Sequence, residues 1–269
     1  MPKGLLTVNY ELAIPDFEVA EAGPIAQDIQ RPATGTITMK PTATGLELEI
    51  QVQTEDPNGA AETADSIARE LAEHFTFWLC EHDVSHKVVA KKLGPPEFGG
   101  SVSNTLHVFL GELIMVGHAV VSKVTRRVKK ESIATALAEF SIRQQAPPPV
   151  TATDLIVARQ MFLAGLGVEN RVASFLISYA ALAALAAFLR GSGRQATIDA
   201  LLRSEDPSLL TVTRTDAAGK TTSETEFTAA RNVFIHSEDR GRAPAAAMAA
   251  VESLAARFNV LVGRIFRKA

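Results

Sequence analysis

A single cysteine, Cys80, in 269 residues leaves no partner for an internal disulfide. Tryptophan and tyrosine are scarce too, with one and two residues against thirteen phenylalanines. The charges nearly cancel, with 27 basic against 30 acidic residues. A formal net charge of -3 provides no global field for a polyanion, so any nucleic-acid contact must come from local clusters. An apolar stretch at 105–121 is interrupted by Gly111 and Gly117 and carries His107, Glu112 and His118, which makes it a poor membrane span, and no membrane-spanning segment is expected. The start MPKGLLTVNYELAIPD has no apolar signal core, so the expected location is the cytoplasm. Neither a G-x-S-x-G turn nor a G-x-x-x-x-G-K-S/T loop occurs, which removes the usual signs of a serine hydrolase and of a nucleoside triphosphatase.

What remains is a globular composition, 46% hydrophobic and 21% charged, long enough for one large or two ordinary domains. Gln144 to Pro149 ends in three prolines, which can continue neither a helix nor a sheet, so the chain is expected to divide there. The reading is therefore α+β: residues 1–145 form a mixed α+β domain of unassigned role, 146–150 a proline linker, and 151–269 a mainly helical domain. In the first, the spacing predicts strands at Leu5 to Ile14, Gly35 to Lys40, Leu46 to Thr54 and Lys87 to Lys92, with a hairpin around Pro41 to Gly45. Apolar positions at threes and fours, Ile67, Leu71, Phe75, Trp78 and Leu79, predict a helix over Glu62 to His82. A Gly/Pro loop at Gly94 to Gly100, two strands within Thr105 to Val124 and a helix over Glu131 to Arg143 complete the domain.

Two clusters in this half invite a chemical reading. Cys80, His82 and His86, with His74 upstream, could be written as zinc ligands, yet i and i+2 at a helix end face apart and no second paired cluster accompanies them. No metal and no cofactor are expected. Lys123, Arg126, Arg127, Lys129 and Lys130 form a basic run, more simply a solvated loop leading into a helix than a phosphate footprint.

After the prolines the pattern turns helical. Thr153 as N-cap opens a helix reaching Gly165 to Gly167, a second runs from Glu169 to Arg190, and a short one covers Ile198 to Leu202. Strands over Leu209 to Thr215 and Lys220 to Glu226, joined by Asp216 to Gly219, insert a small hairpin. Ser223-Glu224-Thr225-Glu226 has the spacing of a capping box that would open the next helix. A final helix begins near Pro244, with Met248, Val251, Ala255, Phe258, Val262 and Ile265 as its seam.

Arg231, Asn232 and His236 bring a fixed cation, an amide and a titratable imidazole within two turns. Such a set suits a phosphodiester, because arginine grips phosphate in a planar fork and histidine moves a proton near neutral pH. The spacing alone carries little weight, since such pairs arise by chance. On an ideal helix a residue five later is rotated by about 140°, so Arg231 and His236 share a face only if the helix loosens. A competing reading pairs Arg231 with Glu226 or Glu238 and leaves His236 to cap a helix end.

The order of helices, with R-N-x-x-x-H closing a late helix before a final amphipathic one, resembles the HEPN superfamily over roughly 151–269. The resemblance implies a helical bundle acting as a homodimer, the motifs of both subunits facing one cleft. It also implies a metal-independent ribonuclease in a toxin, anti-phage defence or RNA-processing setting, with Arg231, Asn232 and His236 at the reaction. Arg240 and Arg242 would add substrate contacts. The alternative is a non-catalytic module that binds RNA or a nucleotide, or that dimerises. One departure is the acidic residue often found on an earlier helix, for which Glu169 is the nearest candidate.

Overall fold

The structure is a computed structural model and describes residues 4–14, 17–19, 23–29, 34–42, 45–98, 126–145, 153–215, 221–236 and 244–269. Outside that set lie the expected strands of Thr105 to Val124, the proline linker, the Asp216 to Gly219 turn, and Arg240 and Arg242. By packing, the chain divides into two units, Met1–Ala72 with Val89–Pro147, and Glu73–Val88 with Pro148–Ala269.

Alternation builds the first unit. In β1 (Gly4–Ala13) Leu6, Val8, Tyr10 and Leu12 turn to one buried face, as period-two side chains must. The short strands β2 (Phe17–Val19) and β3 (Ile25–Ile29) follow, then β4 (Gly35–Pro41) and β5 (Gly45–Thr54). Register keeps the apolar faces together: Leu6 lies opposite Val52, Val8 opposite Ile50, and Ile37 opposite Ile50 on the other side. After α1 (Pro57–Glu81) come β6 (Val89–Lys92), β7 (Glu97–Phe98), β8 (Arg126–Val128) and α2 (Lys130–Gln145). The sheet runs β3-β4-β5-β1-β6, with β7 also paired to β1, while β2 and β8 form a separate parallel pair. The expected strands β1, β4, β5 and β6 and the expected helices α1 and α2 are present. The short strands β2, β3, β7 and β8 are additions, and β8 falls within the basic run that was read as loop.

Within this unit Tyr10 donates its hydroxyl to Asp65 on α1 at 2.6 Å, and Lys92 holds the same carboxylate at 3.0 Å. Burial alone would raise the Asp65 pKa, but the Tyr10 and Lys92 bonds and the nearby cations outweigh it and hold it below the usual value. Burial, reinforced by the Asp65 bond and charge, pushes the Tyr10 phenol well above its usual value. The signs differ. Asp65, depressed on folding, contributes stability above its unfolded pKa and loses it as pH falls through the folded value. Tyr10, raised on folding, contributes fully below the ordinary tyrosine value of about 10 and loses it as pH climbs beyond that. Tyr10→Phe should therefore flatten the alkaline limb of a melting-temperature profile between about pH 10 and 11.5, relative to wild type; an unchanged limb would deny the link.

The second unit is helical apart from one hairpin. Its elements are the end of α1, then α3 (Thr153–Leu166), α4 (Arg171–Arg190), α5 (Gln195–Glu205), β9 (Thr211–Thr215), β10 (Thr221–Thr225), α6 (Glu226–Ile235) and α7 (Pro244–Lys268). Asn170 caps α4 by accepting from the Ala173 N–H, and Gly191 ends it with φ 69°, a left-handed conformation that glycine takes without penalty. β9 and β10 pair antiparallel, as the expected hairpin requires. The capping box is corrected: Ser223 lies in β10, and the N-cap of α6 is Thr225, whose hydroxyl accepts from the Thr228 N–H.

Glu73–Val88 belongs to this unit, whereas the sequence placed it in the first domain. The reason is packing. Phe77 stacks on Phe162 at 5.9 Å and meets Phe266 at 6.2 Å, and a Cβ at Gly263 of α7 would strike Cys80 Sγ. Cys80 is thus buried where α7 passes closely, and burial pushes its thiol up to about 12, the opposite of a ready metal thiolate. His82 lies against Trp78 at 4.4 Å. Among the described residues no three of His, Cys, Asp or Glu gather as a metal site. By length and composition α4 and α7 could cross a membrane, but both supply core residues of the unit, among them Phe175, Leu182, Phe258 and Val262.

Candidate functional site

The site starts from the floor of the helical core. Phe175, Tyr179, Phe227 and Phe258 form an aromatic cluster with centroid distances of 4.5 to 6.3 Å. Tyr179 is its polar member and needs a partner for its hydroxyl. It finds Thr228 on α6 at 3.0 Å, and Thr228 in turn donates to Asp199 Oδ1 on α5 at 2.6 Å. Because a carboxylate only accepts, the direction runs from Tyr179 to Thr228 to Asp199. Thr225, the N-cap of α6, donates to the same oxygen at 2.7 Å. Asp199, Thr225 and Thr228 are all fully or almost fully buried. Burial raises the Tyr179 pKa, the Asp199 and Glu224 charges add to that, and the Thr228 bond and Arg231 oppose it.

Helical spacing carries the network upward. Thr228, Arg231 and Asn232 fall on one face of α6, three and four residues apart, while Gln195 and Asp199 are similarly matched on α5. Arg231 lies with its guanidinium carbon 5.3 Å from the Tyr179 ring centroid and donates Nη1 to Asn232 Oδ1 at 3.0 Å. Asn232 Nδ2 donates to Glu224 Oε2 at 2.8 Å and to Gln195 Oε1 at 3.3 Å. Gln195 closes the set by donating Nε2 to the same Glu224 oxygen. Glu224, on β10, is only 2% exposed.

Two parts of the competing reading separate here. Glu226 is taken by Arg257, which donates to it at 2.8 Å and also reaches Asp206 at 3.4 Å, and Glu238 lies outside the described residues. The described partners of Arg231 are instead an amide and a ring. His236 does cap α6, its backbone N–H bonding to Asn232 O at 3.1 Å, with φ -108° and ψ 24°. The helix thus ends at His236, whose φ departs from the helical value. The imidazole is at an exposed position, while Arg231 and Asn232 are half-buried.

The structure joins Arg231 to Asn232 directly and places His236 at the end of the same helix. Glu169 is exposed beside the N-cap of α4. The acids at this site are Asp199 and Glu224, neither of which was singled out from sequence. A signal for Asp199 existed: it shares the buried face of α5 with Ile198 and Leu202, where a charged residue needs a partner. No family model, curated protein or solved structure matches this chain.

Proposed function

We propose that the helical unit is a HEPN-like, metal-independent endoribonuclease, cytoplasmic and homodimeric, that cleaves RNA by attack of a ribose 2′-hydroxyl on the adjacent phosphorus. The observation that carries this reading is the seating of Arg231, held by the Asn232 oxygen at 3.0 Å and the Tyr179 ring at 5.3 Å rather than by a described carboxylate. A guanidinium has five N–H donors, and one goes to Asn232, so the rest suit two oxygens of a phosphodiester. His236 supplies the group that moves the proton. In the step, the 2′-oxygen bonds to phosphorus and the 5′-oxygen leaves. The imidazole takes the 2′-hydroxyl proton or returns one to the leaving oxygen, giving a 2′,3′-cyclic phosphate and a 5′-hydroxyl. Arg231 stabilises charge on the non-bridging oxygens. Asn232, with its amide committed to Glu224 and Gln195, orients Arg231 rather than touching RNA. The setting that the resemblance implies is a toxin, anti-phage defence or RNA-processing system, with Arg240 and Arg242 as added phosphate contacts.

The test uses labelled RNA in EDTA with wild type, His236→Ala and Arg231→Ala. Cleavage by wild type alone, with DNA of the same sequence left intact, supports the enzyme. Equal traces from all three proteins overturn it, and RNA binding without cleavage would point to the non-catalytic binding module instead.

A further inference from the structure

We propose that Glu224 is a positioning residue: it sets which way the Asn232 amide faces and thereby aims the Arg231 guanidinium. Its consequence for RNA rests on the proposed function, whereas its consequence for the amide does not. The two ends of an asparagine amide are nearly the same shape, so packing alone does not choose between them. The choice matters here because one end offers Arg231 an acceptor and the other a repelling donor. Glu224 decides it, since a carboxylate accepts and does not donate. Its Oε2 takes Asn232 Nδ2 at 2.8 Å and also receives Gln195 Nε2. Gln195 turns its own oxygen back to Asn232 Nδ2 at 3.3 Å, so the three groups form a closed ring in which both Asn232 Nδ2 donors are spent. Only Asn232 Oδ1 faces outward, and Arg231 Nη1 meets it at 3.0 Å.

The arrangement also separates charge from orientation. A carboxylate bonded directly to Arg231 would fix it equally well but neutralise it, weakening its hold on phosphate. With an amide interposed, Glu224 directs the guanidinium while leaving most of its donors uncommitted. The carboxylate is placed by the fold: Glu224 immediately precedes Thr225, the N-cap of α6, so the hairpin that delivers it also starts the helix bearing Arg231.

The full-length protein labelled with nitrogen-15 tests this through the Asn232 side-chain amide, assigned by its loss in Asn232→Ser. In wild type and in Arg231→Ala, one amide pair should exchange with water at least about tenfold more slowly than an exposed asparagine. In Glu224→Gln, which can donate as well as accept, the pair should double or its protection should fall about tenfold. If that variant does not fold, Glu224→Asp withdraws the acceptor by one methylene and should expose the same amide. An Asn232 amide unchanged in whichever variant folds overturns the proposal. A second arm measures binding of a non-cleavable 2′-O-methyl RNA by anisotropy. Glu224→Gln should weaken binding about tenfold in wild type and leave it unaltered in an Arg231→Ala background. Equal weakening in both backgrounds also overturns it. If wild type neither binds nor cleaves RNA, the nuclease reading fails and the amide spectrum still decides the role of Glu224.

Discussion

Under the proposed ribonuclease function, Arg231→Lys is expected to lower metal-free RNA cleavage by about 10²- to 10³-fold, nearly as far as Arg231→Ala, despite keeping the positive charge. The seat explains why. A flat guanidinium rests over the Tyr179 ring at 5.3 Å while one edge donates to Asn232 at 3.0 Å, leaving the other edge as a fork for two phosphate oxygens. Lysine offers a single rotating ammonium, without the flat face or the paired donors. Misplacement by about an ångström costs about a hundredfold in a reaction that depends on alignment. Single-turnover rates on labelled RNA, with melting temperatures to confirm folding, would measure this. A lysine variant within about threefold of wild type would mean that Arg231 supplies only charge, and the argument from its geometry would fall.

Much of the fold was legible because period and breakers are local signals. β1, β4 and β5 followed from β-branched and apolar residues that alternate or cluster between breakers, and α1 and α4 from an apolar stripe closed by punctuating residues such as Gly191. The short strands β2 and β8 were not legible. Three residues carry no period, and the pairing of Phe17 with Arg126 is a long-range event that neither segment announces. The membership of α1 was missed for a related reason: one amphipathic stripe serves two units, and nothing in residues 73–81 says which neighbour their apolar face will meet.

The site divides in the same way. Arg231, Asn232 and His236 could be picked out because they are close in sequence and chemically paired. Gln195 and Glu224 lie 37 and 8 residues from Asn232, and only the folding of the hairpin against α5 brings them together. Arg257, which no sequence pattern singled out, answers for Glu226, which the sequence had offered to Arg231. What the motif leaves out is therefore the buried support that decides what its exposed groups can do.

Beneath that support, Asp199→Ala should be the most damaging single change in the helical unit outside its apolar core. Asp199 Oδ1 accepts from Thr225 at 2.7 Å and Thr228 at 2.6 Å, and Thr228 is the described acceptor for Tyr179. Alanine removes that acceptor from hydroxyls with no exposure to water. Each stranded donor costs about 1–3 kcal/mol, so the loss is on the order of 3 kcal/mol, enough to lower the melting temperature by about 6–12 °C. Asp199→Asn keeps an oxygen where both hydroxyls can reach it and should cost about 1 kcal/mol, separating the missing acceptor from the missing charge. Thermal melts of the two variants beside wild type measure the difference, and an alanine variant within about 2 °C would show that Asp199 supports neither threonine. The loss should also pass upward. With Thr228 released, the Tyr179 ring under Arg231 is no longer tied to α5, so in the alanine variant that remains folded at low temperature RNA cleavage should fall further than in Asp199→Asn.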